Sequence, residues 1–278
     1  MPDLFSSSVV AIAVAVLSWW LGTGVILWLV RLTPSTFRWS MWLLTLTLLA
    51  SLYATAWSMR NPNVAGAYVG YISVIAMWSW HEMAFLSGWL TGPRRVAQDA
   101  TATGSRRFKH AVQVLLHHEL ALVVNFAVLV AMQWGQPSYV SLCTFGVLWC
   151  MRVSSKLNLF FGVPLVGDQY LPSHMTYIGT YFRRGPVTLW FYVTVTLSAA
   201  TWGWMVIEVQ RGSVGTSTGW VLLASLLGLA LIEHALMVFA LPIQRIWGWA
   251  MNRNALYSPQ EANIGAVVTS TPTHPDCV

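Results

Sequence analysis

Seven stretches of this sequence are long and apolar enough to be helices crossing a hydrocarbon layer, about 30 Å thick, which takes about 20 residues of helix. The predicted spans are Ser8–Val30, Trp39–Trp57, Val64–Leu90, Lys109–Trp134, Ser138–Phe161, Pro186–Val209 and Thr218–Leu241. Turn chemistry separates them at Thr33-Pro34-Ser35, Asn61-Pro62-Asn63, Gly92-Pro93, Gln136-Pro137-Ser138 and Gly212-Ser213. In hydrocarbon every backbone N–H and C=O must find its partner inside the chain, so such segments fold as helices. The expected fold is therefore an all-α integral membrane protein of about seven helices. A water-soluble globule is excluded, because 56% of the residues are hydrophobic and only 9% are charged. The N-terminal run is too long for a cleaved signal peptide and is read as the first span.

The basic residues give an orientation. With seven spans, one side holds Arg31, Arg38, Arg94, Arg95, Arg106, Arg107, Lys109, Arg183, Arg184, Arg245 and Arg253, and the other holds Arg60 and Arg211. The positive-inside rule then puts the N-terminus outside and the C-terminus in the cytoplasm. The net charge of +6 thus reflects membrane topology, not nucleic-acid binding. Two segments between spans stand out. The basic stretch Arg94–Lys109 is a predicted cytoplasmic docking surface for anionic lipid or a partner subunit. Leu171–Arg184, with Leu171, Met175, Ile178 and Phe182 at helical spacing, is predicted as an interfacial helix. Residues 1–253 are expected to form one domain, and 254–278 a disordered tail.

Against this apolar background, ionisable residues inside spans are costly, at least ~2.5–3.5 kcal/mol each on insertion scales unless something pairs with them. The third span carries His81 and Glu82, the fourth His117, His118 and Glu119, and the seventh Glu233 and His234. Counted from the basic end, each group lies ~10–12 Å deep at 1.5 Å per residue, so they share one layer. Arg152 and Lys156 on the fifth span lie near it. Lys156 can snorkel to the interface along its stem, whereas Arg152 is expected to pair with Glu119 or Glu233. His174 would close the layer from the interfacial segment, and Asn125 would extend it from below.

Imidazole and carboxylate together make a first shell for iron or zinc, and a single imidazole can ligate the metal of a tetrapyrrole. The candidate metal residues are His81, Glu82, His117, His118, Glu119, His174, Glu233 and His234, and the candidate cofactor-binding residues are His81, His118 and His234. Two further readings stay open: a hydrogen-bonded ion-pair network that only joins helices, and a proton or substrate path. The histidine boxes of membrane di-iron hydroxylases and the His-Glu-x-x-His zinc box are missing. The three cysteines, Cys143, Cys150 and Cys277, form no disulfide framework.

Taken together, WHEMAFLSGWLTGPRR, LLHHELAL, MRVSSKLNLFFGV, LPSHMTYIGTYFRR and the late Glu233-His234 pair resemble the bacterial photosynthetic complex assembly protein 2 family (PuhE-like). The resemblance covers His81, Glu82, His117, His118, Glu119, His174, Glu233 and His234. It implies a multi-pass protein of the bacterial inner or photosynthetic membrane. The implied role is assembly of the reaction centre–light-harvesting complex, with reaction-centre or core-antenna subunits as partners. The histidines become candidates to hold or hand over bacteriochlorophyll. The alternative is a membrane metalloenzyme, with one or two irons, acting on a tetrapyrrole or isoprenoid substrate.

Overall fold

The Asn-Pro-Asn turn shows how local chemistry sets the helix starts. Asn63 is extended, and its side-chain oxygen accepts from the Gly66 N–H at 2.8 Å, a cap that stabilises the helix by about 1 kcal/mol. The computed structural model describes residues 7–240. It contains seven long helices: α1 Ser8–Val30, α2 Phe37–Arg60, α3 Val64–Leu86, α4 Gly104–Gln133, α5 Val140–Phe161, α7 Leu189–Arg211 and α8 Val214–Ala235. The short α6, Thr176–Gly179, lies in the long α5–α7 connection. At 22–30 residues the long helices measure roughly 33–45 Å at 1.5 Å per residue.

Five helices are long and apolar enough to cross a membrane: α1, α2 with the turn before it, α4, α7 and α8. The other two, α3 and α5, are as long and carry His81, Glu82, Arg152, Lys156 and Asn158. They also occupy the middle. α3 touches α1, α2, α4, α5 and α8, while α5 touches α2, α3, α4, α7 and α8. The remaining long helices pack around these two, and α4 and α8 direct Glu119 and His234 at α5, as the cost of an unpaired polar group in hydrocarbon requires.

Successive helices run in alternating directions, as contacts between their connections establish. At one end Phe37 meets His174 at 6.0 Å between rings, Arg94 donates to the Tyr181 hydroxyl, and Arg107 donates to the Phe160 carbonyl. At the other end the Ser138 N–H donates to the Met59 carbonyl at 3.0 Å, and Gly215 abuts Asn63. That second end is tightly joined by small residues. The Ser58 hydroxyl donates to the Gly66 carbonyl at 2.8 Å and lies 3.3 Å from the Ser141 hydroxyl. Thr55 and Ser73 share a bond of 2.9 Å. A Cβ on Gly70 would fall 2.3 Å from Ser58 Oγ, so only glycine lets α2, α3 and α5 approach there.

Several expected boundaries move. The third helix ends at Leu86 instead of Leu90, because Gly88 (φ 81°) turns the chain and Leu90 N–H donates back to the Ala84 carbonyl. The fourth begins at Gly104, not Lys109, drawing Arg106 and Arg107 into its first turn. The eighth ends at Ala235 instead of Leu241, the chain continuing in turns through residues 236–238, and the tail 254–278 lies outside the described residues.

The expected interfacial helix Leu171–Arg184 is not one helix. It is a 3-10 turn, Ser173–Met175, followed by the single turn of α6, with Pro172 before and Gly179 inside. The stretch is better described as a strap, tied to the end of α5 by a parallel bridge between Val163 and Arg184. Its apolar spacing still does what the sequence suggested: Met175 and Ile178 are buried against Phe85 and Val114.

Gly92 marks a second close approach. A Cβ there would sit 1.9 Å from the Gln113 carbonyl oxygen of α4, whereas one on Gly146 would meet nothing within 4 Å. Gly92→Ala is therefore expected to lower stability by about 1–3 kcal/mol through overpacking. Gly146→Ala should leave the unfolding midpoint unchanged or higher. Thermal unfolding of the two variants in detergent checks the difference.

Candidate functional site

The residues that gather in the bundle are charged, and they come from three helices. Glu82 on α3 accepts from Arg152 on α5 at 2.8 Å. One turn further along α5, Lys156 pairs with Glu119 on α4. Glu119 also accepts from the Trp149 indole at 3.3 Å. Arg152 and Lys156 are four apart and so face the same side of α5, toward α3 and α4. These pairs correct two expectations. Arg152 pairs with Glu82, not with Glu119 or Glu233. Lys156 turns inward to a carboxylate instead of reaching for the interface.

The histidines are not drawn into one site. His81 is buried between Trp78, Trp80 and Phe145, and its Nε2–H donates to the Asn125 carbonyl oxygen at 3.1 Å. The Asn125 amide nitrogen donates in turn to Met77 Sδ at 3.0 Å, which sets the amide's direction. Asn125 thus extends the polar layer, as the sequence suggested. His234 is held at both nitrogens, by the Ser154 hydroxyl at 2.9 Å and the Ala230 carbonyl at 2.9 Å. His174 donates to the Leu86 carbonyl at 3.0 Å and fastens the strap to the end of α3. His117 points outward and is exposed. His118 is fully buried, 4.7 Å from the Phe85 ring, and neither of its nitrogens has a partner among the described residues.

The expected set of eight metal ligands is therefore dispersed. Among the described residues no three of the His, Cys, Asp and Glu side chains come together as a group that could hold a metal ion. Helix geometry gives the reason. Adjacent residues point about 100° apart at 3.6 residues per turn, so His81 and Glu82 face different neighbours. His118 and Glu119 diverge in the same way. A common depth was legible in the sequence, but a common direction was not.

Where the carboxylates and cations point, there is a cavity of about 400 Å³. That lies within the ~300–1,000 Å³ range of small-molecule sites. Glu82, Arg152, Lys156 and Glu233 line it, with Trp19, Gly22, Ser79 and Ser155 among the other wall residues. Most of the wall is aliphatic or aromatic, contributed by α1, α3, α4, α5 and α8. The strap closes one end through Val166, Tyr170, Ile178, Tyr181 and Phe182. Glu233 faces Arg152 and is hydrogen-bonded by Trp19. Two buried atoms, Glu82 Oε1 and Arg152 Nε, lack partners among the described residues. His81, His118 and His234 do not line the cavity. Phe85 stands between His118 and that space, contacting the imidazole on one side and lining the cavity on the other.

Sequence reasoning missed Trp149, Ser154 and Trp19 as partners. Their one available signal was spacing: Trp149, Arg152 and Lys156 recur at three and four residues along α5, as do Gly22 and Trp19 along α1.

The chain was compared with known proteins. Residues 5–257 match a family described as a protein of unknown function, DUF3623. The chain belongs to this family. A curated relative from Rhodobacter capsulatus, the "Uncharacterized 30.4 kDa protein in puhA 5'region", is 36% identical over 238 residues, covering 84% of this chain and 87% of its own length. No solved structure matches. The DUF3623 match spans all seven long helices, so the cavity and its ion pairs lie wholly inside the family region.

Removing one partner of a partly buried ion pair leaves the other charge unanswered in a poor solvent. Because the Arg152 side chain is 40% exposed, the cost is reduced by screening. Glu82→Gln and Arg152→Gln are each expected to destabilise by on the order of 1–2 kcal/mol. The double variant should lose less than their sum, with a coupling of about 1 kcal/mol. Equilibrium unfolding in mixed micelles of the four proteins measures it, and strict additivity would refute the pairing.

Proposed function

We propose that this protein is an assembly factor for the bacterial photosynthetic reaction centre–light-harvesting complex. In this reading it is a seven-span protein of the inner or photosynthetic membrane, N-terminus outside. Its cavity holds an amphipathic ligand taken from the cytoplasmic leaflet. Two lines support the setting: the helices suited to a membrane, and a relative named for the puhA 5′ region, within a photosynthesis gene cluster. The cavity carries the ligand reading. A long apolar wall ending at Glu82 and Arg152 suits a molecule with a hydrocarbon body and one polar group. The Glu82–Arg152 pair and Lys156 line the same space, so the polar group of such a ligand would meet charged side chains there.

Bacteriochlorophyll held through a histidine–magnesium bond does not fit the residues. His234 is bonded at both nitrogens, while the unpartnered His81 Nδ1 and both His118 nitrogens are enclosed by protein and neither residue lines the cavity. No binding step is therefore assigned to them. The metalloenzyme reading gains no support either, since its donor set is spread over separate helix faces.

Filling the cavity tests the proposal. Ser155→Phe and Ala230→Phe place bulk on two different walls. In a phototrophic host lacking the native gene, each should insert at the normal level yet reduce assembled complex at least severalfold. Organic extracts of the purified variants should lose a molecule that the parent protein carries. Full assembly with the cavity blocked in both variants would overturn the reading.

A further inference from the structure

A second recess lies at the basic end, outside the bundle interior. It is lined by Ala102, Thr103, Gly104, Ser105 and Arg107 at the start of α4, and by Phe108 one turn later. Phe160 and Phe161 at the end of α5 and Thr180, Phe182, Arg183 and Arg184 of the strap complete it. No carboxylate lines the recess.

Its charges are arranged in two tiers. Arg107 is anchored: it donates to the Phe160 and Tyr181 carbonyls and lies 4.0 Å over the Phe160 ring. Arg183 sits close enough for the two guanidiniums to repel each other. Arg184 is held at the edge by Asp168, at 2.7 Å and 2.8 Å. The first turn of α4 adds its own partial positive charge. Thr103, the capping residue, makes no side-chain cap bond, so the amides of Gly104, Ser105 and Arg106 have no intrahelical acceptor. Beneath these donors lie aromatic rings. Phe160 packs edge-on against Phe108 at 5.6 Å and Phe161 at 5.4 Å, and Phe108 and Phe161 are exposed on the outer surface.

We propose that this recess is a binding site for an anionic phospholipid of the cytoplasmic leaflet. The phosphate would meet Arg183, Arg107 and the free amides of α4, and the acyl chains would descend over Phe108 and Phe161. Two like charges held together without a carboxylate call for an anion, and an aromatic face directly below favours one that carries hydrocarbon. The site is narrower than the whole basic loop. Arg94 is committed to Tyr181 and Arg106 to Asp99, whose carboxylate two Thr101 donors hold below the usual carboxylate range.

Native mass spectrometry of the detergent-purified full chain tests this, with phosphatidylglycerol and phosphatidylcholine titrated separately. The parent protein should retain one phosphatidylglycerol about tenfold more tightly than phosphatidylcholine, the strength expected of charge-assisted bonds. Arg183→Ala should remove that preference and Arg183→Lys should keep most of it. Arg95→Ala, an exposed arginine outside the recess, should have no effect. Unfolding midpoints within a few degrees of the parent certify the variants. Equal affinity for both lipids, or unchanged preference in Arg183→Ala, overturns the proposal. So does displacement of the lipid by inorganic phosphate at low millimolar concentration, which would make a free anion the ligand.

Discussion

The two ion pairs across α3, α4 and α5 are the constraint from which the rest of the architecture follows. A carboxylate and a guanidinium cannot face lipid, so α3 and α5 must lie inside. Once they are inside, other helices must cover them: α1, α2, α7 and α8 do so, and α4 closes the remaining side with Glu119 turned inward. Arg152 and Lys156 have long side chains, and they reach from α5 to Glu82 on α3 and Glu119 on α4. At the opposite end glycine and serine contacts draw α2, α3 and α5 together. The cavity lies beside the ion pairs and not among those contacts.

Much of this was legible in the sequence. Helix number and approximate limits follow from apolar runs and turn residues, because hydrocarbon thickness and backbone satisfaction allow few alternatives. That polar residues of α3, α4, α5 and α8 share a level also follows from counting at 1.5 Å each, and the Glu82–Arg152, Glu119–Lys156 and Ser154–His234 bonds cross it. Direction around each helix did not. The bland periodicity of helices apolar nearly all round leaves rotation undetermined, so His81 and Glu82 could be placed at a level but not aimed. As a result the sequence pointed to histidines as the site, while the structure brings forward their acidic neighbours.

The strap was misjudged for a related reason. Leu171, Met175, Ile178 and Phe182 have helical spacing, yet Pro172 and Gly179 interrupt the backbone that would realise it. The four side chains reach the interior through turns instead. Its attachments are specific: His174 to Leu86, Tyr181 to Arg94 and Val96, and Thr180 to Gln98. The α3–α4 and α5–α7 connections are thereby joined at one surface, and the cavity's closure depends on them.

The packing at the far end has a consequence for traffic. Tyr71 and Leu222, with Ala11, Ala15 and Ala67, form a plug whose last member, Leu226, is already part of the cavity wall. A molecule admitted beneath the strap therefore comes to rest in a blind cup. Under the proposed ligand-binding role such a molecule would leave by the side it entered or sideways between helices, as a holder exchanging cargo would and a conduit would not.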